Sequence, residues 1–153
     1  MASLTALGAD EIGSKGTGDE FYAWCARGEL RLRRCLACRE WCHVPRVTCP
    51  NCASTEFAWE PVKGTGRLYT WTVVHRAMHP AFMGDVPYAV VVVELDEGPR
   101  IVSGMVDCPI EALQMEMPVE VVFERSDRWG DRVLPRFRRV AGGAGSQAKG
   151  AGR

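Results

Sequence analysis

Four cysteines in two C-x-x-C pairs limit the fold of this chain more than any other feature of its sequence. Cys35 and Cys38 form the first pair, Cys49 and Cys52 form the second, and only a short segment separates the pairs. This spacing is typical of a zinc ribbon, in which two turns bring four thiolates around one metal ion. The sequence therefore predicts a structural Zn²⁺ site with these four ligands. A rubredoxin-type iron site would use the same ligand set.

Three further cysteines, Cys25, Cys42 and Cys108, fall outside the two pairs. A site with four cysteine ligands is closed, so none of the three is needed as a ligand. No activating base or electropositive setting accompanies Cys25 or Cys108 in the sequence, which argues against a catalytic thiol at either position. We expect Cys25 and Cys108 to be small buried side chains, and Cys42 to lie on the ribbon surface or against the barrel.

Both ends of the chain differ in composition from its middle. Residues 1–18 and 141–153 are rich in glycine and small side chains, so we predict a flexible lead-in and a disordered tail. The lead-in lacks the basic and apolar regions of a signal peptide, and the chain has no apolar run long enough to cross a membrane. We therefore expect a cytoplasmic protein without a membrane partner.

A short amphipathic helix followed by a short strand is predicted over residues 19–34. Phe21 and Trp24 recur at helical spacing, Asp19 is a suitable N-cap, and Gly28 is a suitable end of the helix. The ribbon is then predicted over residues 35–60.

Residues 61–140 have the composition of a small β-barrel. Five segments are rich in β-branched and apolar residues, namely 66–76, 87–98, 100–108, 117–127 and 132–140. The second is an almost continuous valine run, which suits a strand buried on both faces. Five short strands predict a Greek-key barrel of the OB type, with an SH3-like barrel as the nearest alternative. The predicted fold is mainly β: an N-terminal helix, a rubredoxin-like zinc ribbon and a five-stranded OB-fold barrel.

Strict alternation along the first barrel strand predicts two faces. Tyr69 and Trp71 would lie on one face, and Leu68 and Thr70 on the other. An exposed aromatic face of this kind would suit stacking on nucleic-acid bases. The 19 basic and 19 acidic residues cancel, however, and a nucleic-acid-binding protein usually carries a basic excess. Nucleic acid is therefore not the favoured partner.

The order of helix, ribbon and barrel resembles the rubredoxin-like zinc-ribbon and OB-fold proteins that accompany thiolases and related acyl-CoA enzymes. In the ribbon the resemblance is carried by "FYAWCARGELRLRRCLAC" and "VPRVTCPNC". In the barrel it is carried by "GTGRLYTWTVVHR", "PYAVVVVELDEGPRIVSGMVDC", "MPVEVVFE" and "LPRFRR". It covers about residues 19–140, and Arg39 stands where the family often has glycine.

The resemblance implies an accessory role. Family members are generally non-catalytic subunits or appended domains that help to assemble an enzyme complex and to hold or pass a CoA thioester. We therefore expect a non-catalytic subunit that a thiolase-fold acyltransferase or carbon–carbon lyase requires, in a hetero-tetramer or larger complex acting on a larger acyl-CoA. The CoA thioester would be shared with the partner. The alternative is a ribbon–OB module that binds single-stranded nucleic acid.

Arginines cluster around the first C-x-x-C pair, and guanidinium groups are suited to the phosphates of CoA. A tryptophan among them is a candidate for stacking on adenine, although such arginines also commonly form a solvated face. The candidate CoA-binding residues are Arg33, Arg34, Arg39, Trp41, His43 and Arg46.

The connection over residues 75–87 is long and carries apolar side chains, whereas most connections between strands are short and polar. Exposed methionine and phenylalanine indicate a contact surface. Together with two helix residues, the candidate partner-interface residues are Phe21, Trp24, His75, Met78, His79, Phe82 and Met83. The alternative is that Phe82 and Met83 close the mouth of the barrel. No carboxylate or nucleophile pattern accompanies the two histidines, so no catalytic role is assigned to them.

Overall fold

A computed structural model of the chain describes residues 17–126 and 132–140. The predicted lead-in and tail therefore lie almost entirely outside the described residues. The chain divides into two compact units. The first comprises residues 1–62 and 123–135, and the second comprises residues 63–122 and 136–153. Within the described ranges, no helix has the length and apolar character needed to cross a membrane.

The first unit contains one helix and a three-stranded antiparallel sheet. The helix is α1 (Thr17–Ala26), and the strands are β1 (Arg31–Cys35), β2 (Trp41–Cys42) and β3 (Phe57–Pro61). β1 is the central strand and pairs with both neighbours. The apolar core of this unit includes Phe21 and Cys25 from the helix and Leu30 and Leu32 from the start of the sheet. Burial of these side chains holds the helix against β1.

The helix ends as the sequence predicts but begins earlier. Gly28 lies two residues beyond its last residue, Ala26, and has a φ of 76°, a left-handed conformation that glycine adopts without steric cost. Asp19 is not the N-cap, because it lies inside the first turn. Its carboxylate is favourable there, near the positive end of the helix dipole. It also accepts a hydrogen bond from Arg132 (3.1 Å), whose guanidinium lies over the ring of Tyr22.

A five-stranded sheet makes up most of the second unit. Its strands are β4 (Thr65–Val74), β5 (Tyr88–Leu95), β6 (Arg100–Gly104), β7 (Pro118–Ser126) and β8 (Arg132–Arg139). Residues 123–126 of β7 and 132–135 of β8 are counted with the first unit. Their order is β6-β5-β4-β7-β8, and a parallel bridge between Met105 and Phe137 joins the two ends. A five-stranded sheet in this order, closed by a parallel contact, is an OB-fold barrel rather than an SH3-like one. The predicted fold class is therefore confirmed.

A β-bulge in β4 changes which side chains face the barrel interior. Leu68 lies opposite Val93, and Trp71 lies opposite Val91, so β4 uses one more residue than β5 between the two pairs. Leu68 and Trp71 therefore share the interior face, and the predicted alternation is wrong beyond Leu68. The bulge leaves Tyr69 exposed on the outside.

The valine run of β5 is buried on one face only. Val91 and Val93 are fully buried and Leu95 is nearly so, while the residues between them are half-buried. The prediction of a strand buried on both faces is therefore wrong. The reason is that each strand of a small antiparallel barrel turns alternate side chains away from the interior.

Close approach of β4 and β5 requires glycine at position 66. A Cβ atom there would overlap the carbonyl oxygen of Glu94 and would lie 2.9 Å from Cα of Leu95. Both obstacles are backbone atoms, so a rotamer change cannot relieve the overlap. We predict that Gly66→Ala lowers the free energy of unfolding by about 1–3 kcal/mol, measured by urea denaturation.

Gly84→Ala is the matched control for this substitution. A Cβ atom at Gly84 meets nothing within 4 Å, and its φ is not positive. We expect this variant to unfold at the same urea concentration as the wild type. Equal midpoints for the two glycine variants would contradict the steric account.

Candidate metal centre

Two turns with the same backbone geometry carry the four paired cysteines. In the first turn the N–H of Arg39 donates to the carbonyl of Cys35 (3.0 Å), and in the second the N–H of Ala53 donates to the carbonyl of Cys49 (2.9 Å). Arg39 and Ala53 both adopt left-handed backbone angles, with φ values of 63° and 60°. Each turn therefore directs its pair of thiols in the same way.

The four thiols converge on one point. The Sγ atoms of Cys35, Cys38, Cys49 and Cys52 all lie within 4.8 Å of one another. Cys35 and Cys52 are 3.6 Å apart, and Cys38 and Cys49 are 3.5 Å apart. A tetrahedral site with metal–sulfur bonds of about 2.3 Å requires sulfur–sulfur distances of about 3.8 Å. The cluster is therefore compatible with binding a metal ion through four sulfur ligands.

Backbone N–H groups favour the thiolate form at this centre. The N–H of Glu40 lowers the pKa of Cys38 to about 6, and the N–H of Cys38 lowers the pKa of Cys35. The N–H of Ser54 also acts to lower the pKa of Cys52, but hydrogen bonding with Cys38 and burial outweigh it and raise that pKa to about 12. Adjacent thiolates repel one another, and a divalent cation at their centre would offset this repulsion.

The other cysteines lie outside this cluster. Cys25 and Cys42 are buried in the first unit, and burial raises the pKa of both thiols, that of Cys25 to about 12. This confirms the expectation for Cys25 and shows that Cys42 does not lie on the ribbon surface. Cys108 in the second unit is only partly buried, so the expectation of a buried thiol is wrong there.

The six candidate CoA-binding residues do not form one cluster. Arg33 and Arg34 are consecutive in β1, and successive side chains of a strand point to opposite faces of the sheet. One group contains Arg33, His43 and Arg46, and the other contains Arg34, Arg39 and Trp41.

Internal contacts occupy the first group. The guanidinium of Arg33 lies 4.1 Å from the ring centroid of Phe57 and donates to the carbonyl of Arg46 (2.6 Å). The ring of His43 packs against Phe21, with centroids 5.5 Å apart, and burial lowers its pKa. These contacts make the group part of the packing of the ribbon.

The second group includes a carboxylate that the sequence did not reveal. Arg34 lies over the ring of Trp41 (4.8 Å) and donates through Nε to the carbonyl of Arg39 (2.7 Å). Glu60 in β3 pairs with Arg34 (3.1 Å) and with Arg39 (2.8 Å). The hydrogen bond from Arg34 is the main cause that lowers the pKa of Glu60, and the charge of Arg39 adds to it. We call Arg34, Arg39, Trp41 and Glu60 the arginine cluster.

The candidate interface residues differ in exposure. Met78 is 94% exposed and Met83 is 65% exposed, and both histidines of the same loop are exposed. Phe82 is half-buried and lies against His79 and Tyr88, so it anchors the loop.

The two helix residues on the candidate interface are less available. Phe21 is only 7% exposed and packs in the core of the first unit, so little of its side chain is available for contact with a partner. Trp24 is half-buried, and the guanidinium groups of Arg27 and Arg31 lie over its ring (4.8 and 4.2 Å). The ribbon also exposes apolar side chains that were not predicted, namely Leu36, Val44 and Val47.

Comparison with known proteins identifies the family. The family model of the ChsH2 C-terminal OB-fold domain matches residues 59–124. A DUF35 domain-containing scaffold protein of Methanocaldococcus jannaschii is 39% identical over 99 residues, which are 64% of this chain and 70% of that protein. A second, from Methanothermobacter thermautotrophicus, is 31% identical over 69% of this chain and 79% of its own length. The chain belongs to the family of DUF35 domain-containing scaffold proteins.

Longer and structurally characterised relatives extend this comparison. A probable enoyl-CoA hydratase alpha subunit of Thermomonospora curvata is 39% identical over 71% of this chain, which spans only a third (33%) of that relative. A chain of the Ltp2-ChsH2(DUF35) aldolase matches with a TM-score of 0.73 and 31% identity, over 83% of this chain and 97% of that one. A DUF35 protein of Sulfolobus solfataricus shares the fold at 9% identity, with a TM-score of 0.56.

The four paired cysteines should be needed for metal binding, and the neighbouring thiols should not. We predict that Cys49→Ser yields insoluble or metal-free protein, because one of four ligands is lost from a closed site. Cys42→Ala removes a buried thiol of the same unit but keeps all four ligands, so it should retain metal. Elemental analysis of both purified variants provides the measurement, and full metal content in Cys49→Ser would refute the assignment.

The positive φ of Ala53 in the second turn should lower the free energy of unfolding of the wild-type protein. We predict that Ala53→Gly raises the free energy of unfolding by about 0.5–1 kcal/mol, because glycine adopts a positive φ without steric cost. Ala37→Gly, in the first turn at a position without positive φ, should lower it. Thermal denaturation of the two metal-loaded variants measures these opposite changes. Destabilisation by both substitutions would contradict the explanation based on the positive φ of Ala53.

Proposed function

We propose that the chain is a non-catalytic scaffold subunit of a thiolase-like acyl-CoA enzyme complex. The observation that carries this proposal is the similarity to a chain of the Ltp2-ChsH2(DUF35) aldolase over nearly the whole of that chain (97%). A second relative is named as a probable enoyl-CoA hydratase alpha subunit, so its name also refers to a CoA thioester. The partner would be a thiolase-fold acyltransferase or carbon–carbon lyase, and two copies of each chain would form a hetero-tetramer.

Zn²⁺ is the metal that we propose for the four-cysteine centre. Four sulfur ligands at near-tetrahedral separations are the usual environment of structural zinc. A full set of protein ligands leaves no position for a substrate, so the ion would stabilise the ribbon rather than take part in a reaction. Elemental analysis distinguishes zinc from iron. Bound iron would also give the protein an absorption band in the visible range.

We assign the chemistry of the complex to the partner enzyme. The thiol of Cys25 is buried with a raised pKa, which disfavours the nucleophilic thiolate. His43 is packed against an aromatic ring and its pKa is lowered by burial. The chain's own contribution would be assembly of the complex and contact with the CoA thioester, which it would share with the partner.

The loop over residues 75–87 has the properties of a partner-binding surface. A short 3-10 helix (Pro80–Phe82) lies between the two exposed methionines, and His79 caps it by accepting a hydrogen bond from the N–H of Ala81 (3.1 Å). The loop therefore has defined structure while Met78 and Met83 point away from it. Unbranched thioether side chains adapt well to an apolar partner surface.

Substitution of the two loop methionines should weaken the complex. The test first captures the partner by affinity purification of the tagged chain and identifies a thiolase-fold enzyme by mass spectrometry. We predict that Met78→Asp combined with Met83→Asp then weakens binding of this enzyme by at least about tenfold, since burial of the two side chains would be lost. Surface plasmon resonance measures the change.

Met115→Asp is the matched control. Met115 is about as exposed as Met83 (66% and 65%) and belongs to the same unit, but it lies outside the loop. This variant should bind the partner as the wild type does. A thiolase-fold enzyme that is never captured, or that is equally soluble and active without this chain, would refute the proposed function.

A further inference from the structure

The carboxylate of Glu60 bridges the two guanidinium groups of the arginine cluster. Its Oε2 atom lies 3.1 Å from Arg34, and its Oε1 atom lies 2.8 Å from Arg39. The register of β1 and β3 produces this arrangement, because Glu60 lies opposite Leu32, two positions from Arg34 and on the same face of the sheet. One planar anion therefore already occupies the space between two arginines.

The cluster is held in place by contacts other than the carboxylate. Arg34 rests on the ring of Trp41 and donates through Nε to the backbone carbonyl of Arg39. The cluster remains accessible, because the side chains of Arg34 and Arg39 are 30% and 53% exposed. Two guanidinium groups are thus fixed at the surface with their remaining donors available to a second anion.

The turn itself does not explain why position 39 carries an arginine. Arg39 adopts a left-handed φ of 63°, and the equivalent position of the second turn is Ala53, which has no charged side chain. A residue with a long side chain is unfavourable in this conformation compared with glycine. The feature that Arg39 adds to the turn is its guanidinium group, which the backbone places beside Arg34 and Glu60.

Charge favours a stronger anion over Glu60. Two arginines and one carboxylate leave a formal charge of +1 on the cluster. Arginine presents five N–H donors, and the contacts described above use three of the ten that the pair offers. A phosphomonoester brings more acceptor oxygens and up to two negative charges, so it forms stronger charge-assisted hydrogen bonds with two guanidiniums than a carboxylate does.

We propose that Arg34 and Arg39 bind a phosphomonoester group, and that Glu60 is the internal counter-ion that this group displaces. The identification of the ligand as the 3′-phosphate of CoA rests on the proposed function. Trp41 lies beneath Arg34 and provides an aromatic surface beside the phosphate site. Glu60 then lowers the affinity of the site for every anion. Only ligands that carry more negative charge than a carboxylate would displace it.

Isothermal titration of the isolated, metal-loaded chain at low ionic strength tests this inference. The ligands are CoA, dephospho-CoA, which lacks the 3′-phosphate, and inorganic phosphate. We expect Glu60→Gln to bind CoA at least about fivefold more tightly than the wild type, because an exposed ion pair no longer competes with the ligand. Dephospho-CoA, which keeps only the diphosphate, should gain less affinity than CoA does. The increase in CoA affinity should become smaller as the salt concentration rises.

Two variants serve as controls. Glu56→Gln removes the same charge from an exposed residue just before β3, so it should bind CoA as the wild type does. Arg39→Gln in the Glu60→Gln background should abolish the gain. Metal content and circular dichroism of each variant show that the ribbon is folded.

Four results would overturn the inference: no CoA binding by wild type or Glu60→Gln, an unchanged affinity in Glu60→Gln, an equal gain in Glu56→Gln, or an equal gain for dephospho-CoA. A gain for inorganic phosphate equal to that for CoA would support the phosphomonoester site and identify free phosphate as a sufficient ligand. These measurements use the chain alone. They can therefore fail while the thiolase-fold partner is still captured, and they can succeed when no partner is captured.

Discussion

Convergence of four thiols on one point determines the geometry of the first unit. β1 ends at Cys35, the first ligand, and β3 begins shortly after Cys52, the last. The two turns between these strands contain little regular structure, and β2 has only two residues. A segment of this size has a small apolar core, so a metal ion bound by the four sulfurs would contribute stability that side-chain burial alone does not supply.

The same centre positions the charged surface around it. Arg34 immediately precedes Cys35, and Arg39 immediately follows Cys38, so the turn that directs two thiols inward also directs two guanidiniums outward. The four clustered cysteines and the arginine cluster thus depend on one backbone conformation. A change in the arrangement of the four thiols would therefore also change the arginine cluster.

Local patterns in the sequence were sufficient to predict which cysteines cluster and most of the helices and strands. The C-x-x-C spacing identified the cysteines that the structure brings together, and the five barrel strands lie where β-branched residues are concentrated. The faces of those strands were not predictable in the same way. A single bulge after Leu68 reverses the side on which the following residues of β4 lie, and no local feature of composition marks it.

The surface around the metal centre shows a second limit of local patterns. Arg33 and Arg34 are adjacent in the sequence but face opposite sides of β1, so proximity along the chain grouped residues that the sheet separates. Glu60 lies 26 residues from Arg34, and no local pattern links the two, yet it contacts both arginines of the cluster. Only the register of two strands brings it there.

The two exposed methionines of the loop have an energetic consequence for any association that uses them. An unbranched side chain with three rotatable bonds loses about 1.5–2 kcal/mol of conformational entropy when it is immobilised. Met78, at 94% exposure, has this freedom almost in full before contact. The loss opposes part of the gain from burying apolar surface, so an interface that uses these methionines would be weaker than its buried area alone suggests.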